Sequence, residues 1–291
     1  MYRHFLVPVD DSDASIDAVA HAVALARSMG ARITFVHLAR APQEGGQSAA
    51  GRLLDERMRE MVTVKAEAAA RALGVPCESM RVDGPAALAS AASAWGCDLV
   101  CVAARPGAGE AAEAAADVFA GTHAALLAAL DVPVLNCAVR RGLVAARVVE
   151  ALYRAHRATA AALCERLAHP GLAHPGQAPR GLDALRIPRL GPGDACWLSA
   201  LLHGRTSVVD AELGELERQH RHGAALFAEL ERAVTAESES AESTDAAPPA
   251  RVEAALNGYA QFVWEYFGRK EGVIVPAAQR YLREDDWREL D

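Results

Sequence analysis

The run HFLVPVDDSDAS, residues 4–15, decides the fold of the N-terminal half. Residues 4–10 are apolar over a strand's length, Asp11, Ser12 and Asp13 form a polar cluster suited to capping a helix, and 14–29 place apolar residues at helical spacing. Gly30 closes that helix, and ARITFVHLA, residues 31–39, reads as a second strand rich in β-branched and apolar residues.

Outward from this opening the same alternation repeats. A charged, periodic helix over 52–73 leads to a strand at 77–82, an Ala-rich helix at 85–95 and the continuously apolar strand DLVCVA at 98–103, a pattern expected of burial on both faces. A helix at 111–130 and a strand at 132–139 complete the series. Strand and helix in alternation predict a doubly wound α/β domain over 1–140 with a five-stranded parallel sheet. From residue 140 the pattern changes: helical periodicity over 142–167, 194–205, 208–233 and 251–282 predicts an all-α four-helix bundle over 143–291. Two loops are expected within it, the Pro- and Gly-dense 169–193 and the acidic, Ser-rich 236–250, the second as a disordered segment.

Composition fits two globular domains and narrows the partners. At 291 residues the chain has about twice the length of a typical domain. No apolar run reaches the ~18 residues a membrane span needs, and the N-terminus runs into a strand with no basic, apolar leader, so a cytoplasmic chain is expected. Six cysteines, Cys77, Cys97, Cys101, Cys137, Cys164 and Cys196, form no CxxC or zinc-type spacing and read as reduced structural thiols. With 30 Lys and Arg against 38 Asp and Glu the net charge is −8, and no basic track offers a path for a phosphate backbone, which disfavours nucleic acid.

The segments FLVPVDDSDAS, ITFVHL, DLVCVAA and GTHAALLAALDVPVLNCAV, in this order over residues 1–140, resemble the universal stress protein family. The resemblance implies a sheet that binds ATP or another adenine nucleotide in some members. Ligands of open α/β sheets sit beyond the carboxyl ends of the strands, where glycines and a helix N-terminus receive phosphate. It also assigns the residues: Pro8, Val9 and Asp10 beside base and ribose, Leu38 on adenine, Val102 and Ala103 along the pocket, Gly121 and Thr122 on phosphate. Of the family's three-glycine phosphate signature only Gly121-Thr122 matches, with Ala103 and Pro106 at the two earlier glycine positions. The same resemblance implies a homodimer paired through the last strand.

The second half carries a separate resemblance, in LYRAHRATAAAL, LGELERQHRHGAALFAELE and YFGRKEGVIVPAAQRYLREDDWREL, to the haemerythrin-like or HHE cation-binding family. Its members hold a di-iron centre inside a four-helix bundle. HxxxE on one helix aims an imidazole and a carboxylate at the same cavity, because residues four apart share a face. On this resemblance His156, His220 and Glu271 stand at ligand positions. Phe267 replaces the histidine four residues before Glu271, Gly272 replaces a following acid, and the second-helix positions fall on Arg189, Leu190 and Gly193. The remaining set falls short of a di-iron cage and reads as a remnant, so iron is not expected.

No GxSxG, HExxH, P-loop or GxGxxG occurs, and an enzyme is not expected. The leading expectation is a non-catalytic stress-response or regulatory protein, whose helical half mediates packing or contact with a protein partner. An iron-dependent sensor of oxygen, nitric oxide or redox state and an ATP-binding switch are the alternatives.

Overall fold

A computed structural model describes residues 2–38, 48–103, 131–169, 182–188, 196–240 and 250–291. Strands β1 (His4–Val9), β2 (Arg32–Leu38), β3 (Cys77–Val82), β4 (Leu99–Ala103) and β5 (Val134–Cys137) form one parallel sheet in the order β3-β2-β1-β4-β5. Helices α1 (Asp13–Met29), α2 (Ala49–Ala72) and α3 (Gly84–Ala94) make the crossovers that parallel pairing demands. The helix expected at 111–130 lies outside the described residues.

The apolar run of β1 is explained by its position between two neighbours: every one of its residues is buried. Leu6, Val36, Val100 and Val102 pack with Leu88 and Ala92 of α3 in one core cluster. Helix α1 begins as the polar cluster predicts, with the Ser12 hydroxyl accepting from Ser15 N–H at 3.1 Å, and Asp13 in the first turn complements the helix dipole. It stops at Gly30, whose φ of +65° only glycine adopts without strain. β5 is shorter than the predicted 132–139 strand.

The second half is helical: α4 (Leu143–Ala168), α5 (Cys196–His203), α6 (Asp210–Ser240), α7 (Ala250–Arg269), α8 (Val275–Tyr281) and α9 (Glu284–Leu290). Tyr153, Tyr259, Trp264 and Phe267 are among its fully buried side chains. The structure adds detail in three places. The loop expected over 169–193 contains a 3₁₀ turn at Asp183–Leu185, anchored by buried Leu182 and Leu185 and by the Tyr259 hydroxyl, which donates to Leu185 O at 3.0 Å. The segment read as disordered over 236–250 begins as helix, because α6 runs through Ser240; residues 241–249 lie outside the described residues.

The single helix expected over 251–282 is divided by a π-helical turn at Lys270–Ile274. Val275 N–H there bonds Lys270 C=O, five residues back. Pro276 supplies the reason: it has no N–H, and its ring cannot approach the carbonyl four residues earlier in a regular α-turn. The chain then starts α9 separately, with Asp286 accepting from Arg283 N–H at 2.7 Å and holding the Arg205 guanidinium through two bonds of 2.8 and 2.6 Å.

The chain divides into two compact units that are not contiguous in sequence. One comprises Met1–Gly46, Val62–Arg141 and Gly268–Pro276; the other comprises Gln47–Met61, Gly142–Phe267 and Ala277–Asp291. The nine residues around the π turn thus belong with the α/β unit.

Candidate functional site

From β1 the chain winds outward to β2 and β3, then returns to β4 and β5, so the switch point of the sheet lies between β1 and β4. Such a point opens a crevice beyond the carboxyl ends of the strands. Pro8 and Val9 end β1 with Asp10 following, Leu38 ends the neighbouring β2, and Val102 and Ala103 end β4 on the other side. Six of the eight residues expected at a nucleotide are therefore gathered on one edge of the sheet. Gly121 and Thr122 lie outside the described residues.

Asp10 is held in a turn of its own. Its Oδ1 accepts from Ser12 N–H at 2.9 Å and from the Ser12 hydroxyl at 2.6 Å, while its own N–H donates to the Ser15 hydroxyl at 2.9 Å. These bonds fix the chain as it leaves β1 and keep the carboxylate at the mouth of the crevice, only partly buried.

Next to this turn sits a charge cluster that sequence reasoning missed. Lys65 of α2, 6% exposed, places its ammonium 2.8 Å from Glu271 Oε2 and 3.8 Å from Asp11 Oδ1. Burial works against the lysine's charge, but Glu271 and Asp11 outweigh it and hold the Lys65 pKa above the ordinary value. Val9, Asp10, Asp11, Ser15, Lys65, Glu271 and neighbouring residues line a cavity of about 30 Å³. A water needs ~10–15 Å³ of such space, so this cavity takes solvent, not a nucleoside. A signal for Lys65 existed: it stands with Met61, Val62, Ala66 and Ala69 on the apolar face of its helix, where a lone lysine requires a buried partner.

At the opposite, amino end of the strands lies a second polar network, anchored on buried His4 and Thr34. The Thr34 hydroxyl donates to Glu78 Oε1 at 2.9 Å, so it accepts from His4 Nε2–H at 2.7 Å, and His4 Nδ1 accepts from Arg32 at 3.1 Å. Burial and the Arg32 charge lower the His4 pKa, which keeps the ring neutral. Cys97, 3.7 Å from that ring, is pushed up to about 11, chiefly by burial, and is no nucleophile.

Glu271 is committed to Lys65, and His156 is fully buried with its ring stacked on Phe267, centroids 3.9 Å apart and planes 9° from parallel. An aromatic ring thus covers the imidazole face. Among the described residues no group of three or more His, Cys, Asp or Glu side chains is placed to hold a metal ion. Of the tryptophans, Trp264 and Trp287 are buried as packing residues. No described helix is long and apolar enough to cross a membrane.

Residues 1–137 match the model of the "Universal stress protein family". Among solved structures, a universal stress protein family member from Burkholderia pseudomallei is 22% identical, with 46% of this chain and 95% of that one covered at a TM-score of 0.37. A universal stress protein in complex with cAMP is 23% identical, with 48% and 99% covered at 0.37. The universal stress protein of Archaeoglobus fulgidus is 15% identical, with 47% and 100% covered at 0.38. No curated protein matches the chain. Residues 1–137 form a domain of the universal stress protein family.

Proposed function

We propose that this chain is a non-catalytic stress-response protein of the cytoplasm whose α/β unit binds an adenine nucleotide in the crevice between β1 and β4. The observation that carries the proposal is the arrangement at the strand ends: Asp10 directly after β1, Leu38 on β2 and Val102 with Ala103 on β4 supply an apolar floor and one carboxylate at the switch point. An apolar floor suits a base, and a carboxylate suits ribose hydroxyls. Binding without catalysis fits the nearby charges. Lys65, buried beside Asp11, is held protonated in an ion pair and offers no base. Thiols at Cys77, Cys97, Cys101 and Cys137 suit a reducing compartment.

We read the helical unit as a haemerythrin-like bundle repacked for contact in place of iron, with Phe267 against His156 where the family places a metal-bound imidazole. A homodimer pairing along β5 is part of the proposal: β5 is a sheet edge, and its Leu135 is 38% exposed. Sedimentation showing a monomer at micromolar concentration would remove that part.

The test is an inventory of the purified full-length chain followed by titration with ATP. The expected result is adenine nucleotide released by acid, little iron after iron-supplemented expression, and ATP affinity at least tenfold weaker in Asp10→Ala with unchanged far-UV circular dichroism. Absence of ATP binding, or stoichiometric iron, would refute it.

A further inference from the structure

The segment Gly268–Pro276 meets the α/β unit along a seam with no room for side chains. A Cβ on Gly268 would collide with the backbone of Lys65, and one on Gly272 would collide with Ala69 Cβ. Gly268 and Gly272 are four residues apart, as are Lys65 and Ala69, so two helical faces approach almost backbone to backbone. Between the two glycines Glu271 reaches Lys65, and the segment also lies against α1. Lys65 is in turn the neighbour of Asp11, one residue from Asp10, so the docked segment and the turn at the crevice share one lysine.

We infer that the Lys65–Glu271 pair is a latch through which a nucleotide at Asp10 strengthens the docking of Gly268–Pro276 on α1 and α2. The inference rests on the nucleotide reading above. Asp10 Oδ1 serves Ser12, and a ribose hydroxyl donating to that carboxylate competes with both Ser12 bonds. The turn resets, Asp11 moves with it, and Lys65 is left to Glu271 alone. Coupling of this kind is reciprocal, so loosening the latch weakens the nucleotide by the same factor.

Full-length chain, with ATP as the probe, tests this by titration and by hydrogen exchange at 268–276. Glu271→Gln is expected to weaken ATP about fivefold or more, the lower end of ordinary coupling. ATP is expected to slow exchange at 268–276 in the unmodified chain and to leave it unchanged in Asp11→Asn, which keeps the Lys65–Glu271 pair and removes the link. Should Glu271→Gln fail to fold, the exchange comparison decides alone. Equal ATP affinity in the two chains with unaltered exchange would overturn the latch and leave the nucleotide site standing. Failure of the unmodified chain to bind ATP would overturn both.

Discussion

Lys65, Glu271 and His4 carry most of the chemistry in the α/β unit, and they differ in how visible they are in the sequence. Asp10 and the Ser12 cap announce themselves, because a polar cluster directly after an apolar strand has a local cause and a local partner. Lys65 and Glu271 are separated by more than two hundred residues, so neither betrays the other. The position of Glu271 four residues after Phe267 suggests a degraded HxxxE pair instead, and the structure turns it to Lys65. His4 is equally silent, since one histidine at a strand's start gives no hint of Thr34, Glu78 and Arg32 around it. Its lowered pKa has a consequence. Above the unfolded pKa of ~6.5 His4 is neutral in both states; as pH falls below it the unfolded chain takes the proton first, and stability declines until the folded pKa is passed. Urea unfolding at pH 5 and 7.5 is expected to show a smaller pH-dependent loss in His4→Gln than in the unmodified chain; equal losses would place the pH sensitivity elsewhere.

Among the elements, strands and regular helices followed from period and punctuation, and the exceptions have physical causes. Periodicity cannot reveal the π turn at Lys270–Ile274, because an apolar run such as VIVPAA satisfies a continuing helix as well as a widened one. Helix α6 runs past the expected boundary because Ala and Glu in AESES favour helix despite the segment's polar character. The glycines at the seam provide a test with an internal control. Gly→Ala inside a helix normally stabilises by about 0.5–1 kcal/mol. Gly214 in α6 has open space around its missing Cβ, so Gly214→Ala is expected to stabilise by that amount. Gly272→Ala collides with Ala69 and is expected to destabilise by about 1–3 kcal/mol. Thermal denaturation of the two variants should shift Tm in opposite directions; a rise in both would mean that the close seam does not form.

For the whole molecule, the five-stranded parallel sheet and the helical second half are legible in the sequence, since each rests on patterns repeated over many residues. The compact units exchange Gln47–Met61 and Gly268–Pro276. No periodicity marks such an exchange, because it depends on a small-residue seam and one buried ion pair. Glu271 belongs to the α/β unit as the partner of Lys65. A double-mutant cycle in chemical denaturation of the full chain, using Lys65→Met, Glu271→Leu and the double variant, tests it most directly. Each single substitution strands a buried charge and is expected to cost about 3–5 kcal/mol, while the apolar pair recovers most of that loss. Additive costs, with the double variant as unstable as the two singles combined, would contradict the pairing.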